Sequence, residues 1–388
     1  MLEIIINGKE DGKEIALLEN GNLIEYYIDE NDSTRREGNI YIGVIKDIIK
    51  GMQAAFVDIG TEKNAFIHLK DLLPKIDETK QKQDDTIKIE DVAKQGQRIL
   101  VQVKKDSNEQ KGARVSTHIN IAGKYIALMP NTDIITVSQK IGDKKEEERL
   151  IKLVKENISE GNEAIIRTLA KGKEKEIVED LKNVEEKWTK INKNFEKQKN
   201  TSKPKLIEKS EEIVEKMILD LSSDAIFRTL TNSKETYQKL KTISSLKVEL
   251  KENENIFETY DLRKQINKLK NRKVWLKCGG FITIDKTEAL TAIDVNTGKY
   301  TGTKNAEQTV FKVNQEATIE IAKQLRLRDI GGIIIIDYID MVEEKDRKKI
   351  QSLLEDKLKN DRTKTQVEGF TKLDLMELTR KHICSHIH

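Results

Sequence analysis

The chain has 388 residues, 37% hydrophobic and 35% charged, which excludes a wholly disordered chain and leaves room for several domains. Its 70 basic and 67 acidic residues give a net charge of only +3, so a polyanion would have to be gripped by local patches. Two cysteines, Cys278 and Cys384, exclude a disulfide framework.

Residues 1–35 read as three short strands, Leu2–Ile6, Glu14–Leu18 and Leu23–Ile28. Asn7-Gly8, Asp11-Gly12 and Asn20-Gly21 are turn signals between them. A meander this small buries no core of its own and must pack on a later segment.

Residues 36–118 read as a β-barrel. Ile40, Ile42 and Val44 alternate, as do Ile99, Val101 and Val103, and Ala54–Ile59 and Ala65–Leu69 are further strands. The string GNIYIGVIKDIIKGMQAAFVDIGTEKNAFIHLKDL resembles an OB-fold RNA-binding domain. That resemblance implies stacking of single-stranded bases on Phe56, Phe66 and His68, with Lys104, Lys105, Lys111 and Arg114 contacting phosphates. Apart from the resemblance, both phenylalanines suit a barrel core equally well. Lys75–Glu90 reads as a charged, solvated insertion.

Residues 144–220 are helix-rich. Ile177, Leu181, Val184, Trp188 and Ile191 recur at helical spacing and predict one helix over Lys173–Lys197. A second is expected at Glu208–Leu221, then a strand at Ala225–Leu230 and a helix at Ser233–Ile243.

The stretch Gly279–Met341 carries the chemistry. Two continuous apolar runs, Ala289–Ile293 and Ile333–Ile336, lead into Asp294 and Asp337 and predict strands buried on both faces. Between them Ala306, Val310, Val313, Ala317, Ile321 and Leu325 form the stripe of one helix face. A strand–helix–strand unit makes parallel neighbours and brings both carboxylates to one end of a sheet, where ligands of α/β proteins bind. Adjacent anions repel, and a hard divalent cation such as Mg2+ relieves this. Asn296 would orient a carboxylate, and Asp340, Glu316, Lys304, Arg326 and Arg328 are further charges expected near this site.

ALTAIDVNTG and NQEATIEIAKQLRLRDIGGIIIIDYIDM closely resemble the catalytic core of the ribonuclease E/G family. The resemblance implies an α/β multidomain chain. Residues 1–35 and 212–269 would form an RNase H-like subdomain. An OB-fold domain at 36–118 and a 5′-monophosphate sensor region at 119–211, with its helical insertion, would interrupt it. A DNase I-like catalytic subdomain would follow at 270–388. Asp294 and Asp337 would bind magnesium with Asn296 in support. Gly123, Arg167 and Thr168, with Lys364 standing where family members carry an arginine, would hold a 5′-phosphate. Gln139 and Ala127 depart from the family pattern.

At the C-terminal end the family's ELTRK-like helix is commonly followed by a CPxCxGxG motif that shares zinc between two chains. Here only Cys384 follows, with His382, His386 and His388, so the resemblance gives no zinc link and leaves a homo-oligomer by another surface open. The reading is a magnesium-dependent endoribonuclease on single-stranded rRNA, tRNA or mRNA precursors, producing 5′-phosphate and 3′-hydroxyl ends. The N-terminus lacks a signal-peptide layout and no apolar run reaches the ~20 residues of a bilayer span, so a cytoplasmic protein without a membrane span is expected. A non-catalytic RNA-binding scaffold and another metal-dependent phosphodiesterase are the alternatives.

Overall fold

The computed structural model describes all residues except 31–34, 73–86, 108–110, 131, 133–134, 199, 201–202, 222–224, 244–245, 253, 299–305, 360 and 384–388. Most of the Lys75–Glu90 insertion, Lys304, and Cys384, His386 and His388 lie outside the described residues. Contacts divide the chain into two units, Met1–Asn31 with Ser223–His388, and Asp32–Ser222.

The opening meander comprises β1 (Leu2–Lys9), β2 (Gly12–Glu19) and β3 (Asn22–Glu30), all antiparallel. β1 runs straight through Asn7-Gly8, where the dipeptide signals a turn. The Asn7 amide donates to buried Glu14 at 3.0 Å, and the Gly8 N–H donates to Asn232 Oδ1 at 2.7 Å. These bonds satisfy the polar groups in extended backbone, so pairing continues to Lys9.

In the second unit, β4 (Ile40–Ile49), β5 (Ala54–Asp58), β6 (Ala65–His68), β7 (Arg98–Lys105) and β8 (Arg114–Ser116) close a barrel. The ring runs β4-β5-β6-β8-β7 and returns to β4. Ile45, Val57, Ile67, Val101 and Val115 fill it. A four-stranded sheet follows, from β9 (Ile121–Ala122), β10 (Ile126–Pro130), β11 (Thr136–Val137) and β12 (Asn162–Ile166). The helix Glu174–Gln198 covers it through Ile177, Leu181, Val184 and Ile191. Instead of one helix over Glu208–Leu221, there is β13 (Lys205–Glu208), drawn onto the free edge of β4, and a shorter helix Ile213–Asp220.

β14 (Ile226–Thr231) returns to the first unit, lies parallel to β1, and takes β15 (Val248–Leu250) as its outer neighbour. The meander thus gains the later strands it needs, in the order β15-β14-β1-β2-β3.

A six-stranded sheet follows: β16 (Lys273–Trp275), β17 (Phe281–Lys286), β18 (Leu290–Asn296), β19 (Gly332–Asp337), β20 (Thr365–Phe370) and β21 (Leu375–Arg380), ordered β16-β17-β18-β19-β21-β20. The helices Ala306–Leu327 and Glu344–Leu358 pack through Val313, Ala317, Ile321, Ile350 and Leu354 onto Ile293, Val295, Ile334 and Ile336. β18 and β19 are not buried on both faces as expected. Burial alternates along them, and Ile333 is 51% exposed. The ELTRK segment is strand β21, not a helix: Met376 and Leu378 bury at period two between β19 and β20.

Buried charge pairs tie this discontinuous unit together. Arg263 grips Glu14 with two 2.7 Å bonds, and Tyr26 adds a third at 2.7 Å. Arg362 pairs with buried Glu25, and Arg380 reaches Asp361 (2.7 Å) and Asp329 (2.9 Å). Burial would raise the Glu14 pKa, but the bonds from Arg263, Tyr26, Lys9 and Asn7 outweigh it and hold the group at about 2. Its contribution is therefore complete above the usual 4.5 and vanishes as pH falls towards 2. The stability gap between wild type and Glu14→Gln, followed by urea unfolding, should shrink over that window. Arg380→Met should cost about 3–5 kcal/mol in the same assay, because it strands two buried carboxylates.

Candidate active site

β18 and β19 are parallel neighbours whose register sets Asp294 directly beside Asp337. The helix between them leaves from the end of β18 that carries Asp294 and delivers the chain to the start of β19. Both carboxylates consequently sit at one sheet end, and both are exposed. Asn296 lies two residues beyond Asp294 on the same side of the strand, and its amide donates to Asp294 Oδ2 at 2.6 Å. Burial, and then the charges of Asp294 and Asp340, push the Asp337 carboxyl above the ordinary range.

The backbone around the pair is fixed by groups the sequence reading passed over. Asn314 is fully buried on the crossover helix. Its amide donates to the Ile339 carbonyl at 2.8 Å, and its Oδ1 accepts from the Ile339 N–H at 3.1 Å, pinning the loop after β19. One turn on, Thr318 hydroxyl meets Tyr338 hydroxyl at 2.8 Å. The available signal was two polar residues, i and i+4, beside the apolar stripe of a helix leading to a carboxylate. Gly298 turns the chain after β18 with φ of 60°, and a Cβ there would fall 2.5 Å from the Gly279 carbonyl. Only glycine lets the chain at residue 298 approach the β16–β17 connection this closely.

Of the other expected neighbours, Glu316 accepts the Cys278 N–H at 2.8 Å and so braces the β16–β17 connection at this same end of the sheet. Arg326 and Arg328 end the crossover helix, about 30 Å from its start at 1.5 Å per residue, hence at the opposite end of the sheet. Arg328 bonds Gln324 and the Asn271 carbonyl there.

The residues present suit a hard divalent ion. Two carboxylates and an amide oxygen make an all-oxygen donor set, and the mutual repulsion at Asp337 is what a cation relieves. Among the described residues there is no cluster of three or more acidic, histidine or cysteine ligands. Magnesium needs none, since one or two carboxylates with water and substrate phosphate suffice.

On the barrel, Phe56 and Phe66 are register partners on β5 and β6, with ring centroids 6.1 Å apart and edge-to-face. Both are partly exposed and neither belongs to the barrel core. Arg114 is the register partner of Phe66 and pairs with Asp71 at 2.8 Å. Lys111 and Lys105 are exposed, whereas Lys104 turns inward to Gln102 and the His118 carbonyl.

In the same unit, Arg167 donates to the Gly123 carbonyl at 2.6 Å and pairs with Asp220, while Thr168 meets Ser138 at 2.9 Å. A Cβ on Gly123 would lie 2.6 Å from Asp180 Oδ2, which accepts the Tyr125 and Ile126 amides, so glycine is required for this close approach. Lys364 belongs to the other unit, exposed just before β20.

A closed OB-type barrel and a sheet end bearing paired carboxylates are features that a metal-dependent, nucleic-acid-binding hydrolase would need. The sequence model of the Ribonuclease E/G family matches residues 120–383, and that of the S1 RNA binding domain matches residues 34–118. Ribonuclease G of Salmonella typhimurium is 37% identical and that of Escherichia coli K12 is 38% identical. Each match covers 98% of this chain and 79% of the relative. Ribonuclease E of Nostoc is 33% identical over 90% of this chain and 52% of its own length. The chain belongs to the ribonuclease E/G family, and its class is endoribonuclease. Among the described residues no helix is long and apolar enough to cross a membrane.

Replacing Asn314 by Leu leaves both Ile339 backbone groups unpartnered. It should cost about 1–3 kcal/mol in denaturant unfolding. It should also lower cleavage more than RNA affinity, since the loop it holds follows Asp337 directly.

Proposed function

We propose that this chain is a magnesium-dependent endoribonuclease that hydrolyses single-stranded RNA to 5′-phosphate and 3′-hydroxyl ends and favours 5′-monophosphorylated substrates. The observation that carries the reading is the side-by-side register of Asp294 and Asp337, with Asn296 bonded to the first. Magnesium, when bound, polarises the scissile phosphate and lowers the pKa of an attacking water. Asp294 and Asp337 hold the ion's charge against the phosphate, and Asn296 keeps the Asp294 carboxylate in one rotamer.

Phe56 and Phe66 stack bases of the strand, and Lys111 contacts its backbone. Arg167, Thr168 and Gly123 form the 5′-phosphate site. Arg167 would exchange its Asp220 partner for a phosphate, to which its fork of donors is suited. In this reading the meander with β14 and β15 is the RNase H-like scaffold, the six-stranded sheet is the DNase I-like catalytic part, and the enzyme works in the cytoplasm on precursor and messenger RNA.

A 5′-labelled RNA and its DNA equivalent, with and without magnesium, test the reading directly. Asp294→Asn and Asp337→Asn should each lower cleavage by more than about 100-fold, beyond the usual loss from a supporting residue, and leave RNA affinity nearly unchanged. Magnesium-dependent cleavage surviving in either variant rules the assignment out. Phe56→Ala should weaken RNA binding by about 1–3 kcal/mol while thermal unfolding barely shifts. A large loss of stability would instead return that ring to the core.

A further inference from the structure

Beside the acid pair, the open face of the six-stranded sheet carries a feature that the cleavage reading does not use. Register pairs across β16, β17, β18 and β19 make two rows. One runs Lys273, Thr283, Asp294, Asp337, and the next runs Trp275, Phe281, Asn296. Residues two apart on a strand share a face, so both rows lie on one side of the sheet. The core lies on the other side, through Val274, Ile282, Ile293 and Val295.

Trp275 is 58% exposed although it is the largest side chain on its strand. It meets Phe281 edge-to-face with centroids 5.3 Å apart. The Lys273 ammonium lies 4.2 Å from the Trp275 ring centroid and 3.4 Å from that of Phe281. At about 4.8 Å per strand, Trp275 stands about 10 Å from Asn296.

We propose that Trp275 and Phe281, with Lys273, form a base-stacking platform for the RNA strand as it passes the acid pair. It would be a nucleobase subsite on the catalytic sheet, distinct from the aromatics of the barrel. This rests on the nuclease reading above for its position and deepens it. Three features favour a nucleic acid strand as the occupant. An exposed aromatic face accepts any base. The adjacent ammonium is complementary to the phosphate that accompanies the base. The platform is also continuous, in register, with the site where a phosphodiester must lie.

The chain has two tryptophans, so Trp188→Phe leaves Trp275 as the sole indole reporter. In EDTA, a short single-stranded RNA should quench its emission saturably. Single abasic nucleotides walked along the strand should restore the emission at one position close to the cleavage point. With magnesium, Trp275→Leu should raise KM about tenfold, the loss of one stacked base, and should abolish the penalty for the abasic nucleotide at that position. Trp275→Phe should rescue both, a result that a merely structural role would not give.

The platform is refuted if RNA leaves the emission unchanged, or if the abasic penalty survives in Trp275→Leu. It is refuted too if emission tracks protein concentration without RNA, which assigns the face to a second copy of the chain. Quenching by RNA in a protein that makes no cut would support the platform and remove the nuclease reading, so the two fail separately.

Discussion

Two like charges held side by side at the end of an apolar sheet are the constraint on which the catalytic unit depends. The Asp294–Asp337 juxtaposition opposes folding, because burial and then the neighbouring charge of Asp294 disfavour ionisation of Asp337. It persists because the crossover helix is driven onto the sheet by Val313, Ala317, Ile321 and Leu325, all fully buried. Burial of those side chains fixes the parallel register of β18 and β19, and the register leaves the acids nowhere else to go. The repulsion is thus built in by packing, as the proposed cation site requires.

Charge pairs solve a second problem in the same unit. Its first strands come from the chain's beginning and its remaining strands from residues beyond 222, so no local connection holds them together. Glu14 with Arg263 and Glu25 with Arg362 join segments far apart in sequence, while Arg380 with Asp361 and Asp329 ties together elements of the later segment. A buried ion pair adds little net stability over an apolar pair, but breaking one is costly. Such pairs penalise wrong dockings of the discontinuous strands more than they reward the right one.

The barrel separates its tasks by face. Its interior is filled mainly by small and branched residues, and Phe56 and Phe66 lie outside that core, partly exposed on adjacent strands. On the catalytic sheet the same division recurs, with aliphatic side chains beneath and Trp275, Phe281 and the acids above. In both cases strand alternation puts a wet surface directly opposite a dry core.

The sequence by itself determined the elements whose signal is local. The crossover helix, the helix Glu174–Gln198, the barrel strands and the strands ending in Asp294 and Asp337 all declare themselves through the period of their own apolar residues. Tertiary structure decided what depends on partners distant in the chain. It carried β1 through Asn7-Gly8, because Glu14 takes the Asn7 side-chain amide and Asn232 takes the Gly8 N–H. It drew Lys205–Glu208 onto β4, made a strand of the ELTRK segment, and left Ile333 exposed where a continuous run suggested burial on both faces. It also sent Arg326 and Arg328 to the far end of a 22-residue helix and gave Asn314 its place beneath the site. Periodicity reports which face of an element is dry. It cannot report what lies across that face, and only the assembled sheet and its covering helices supply that.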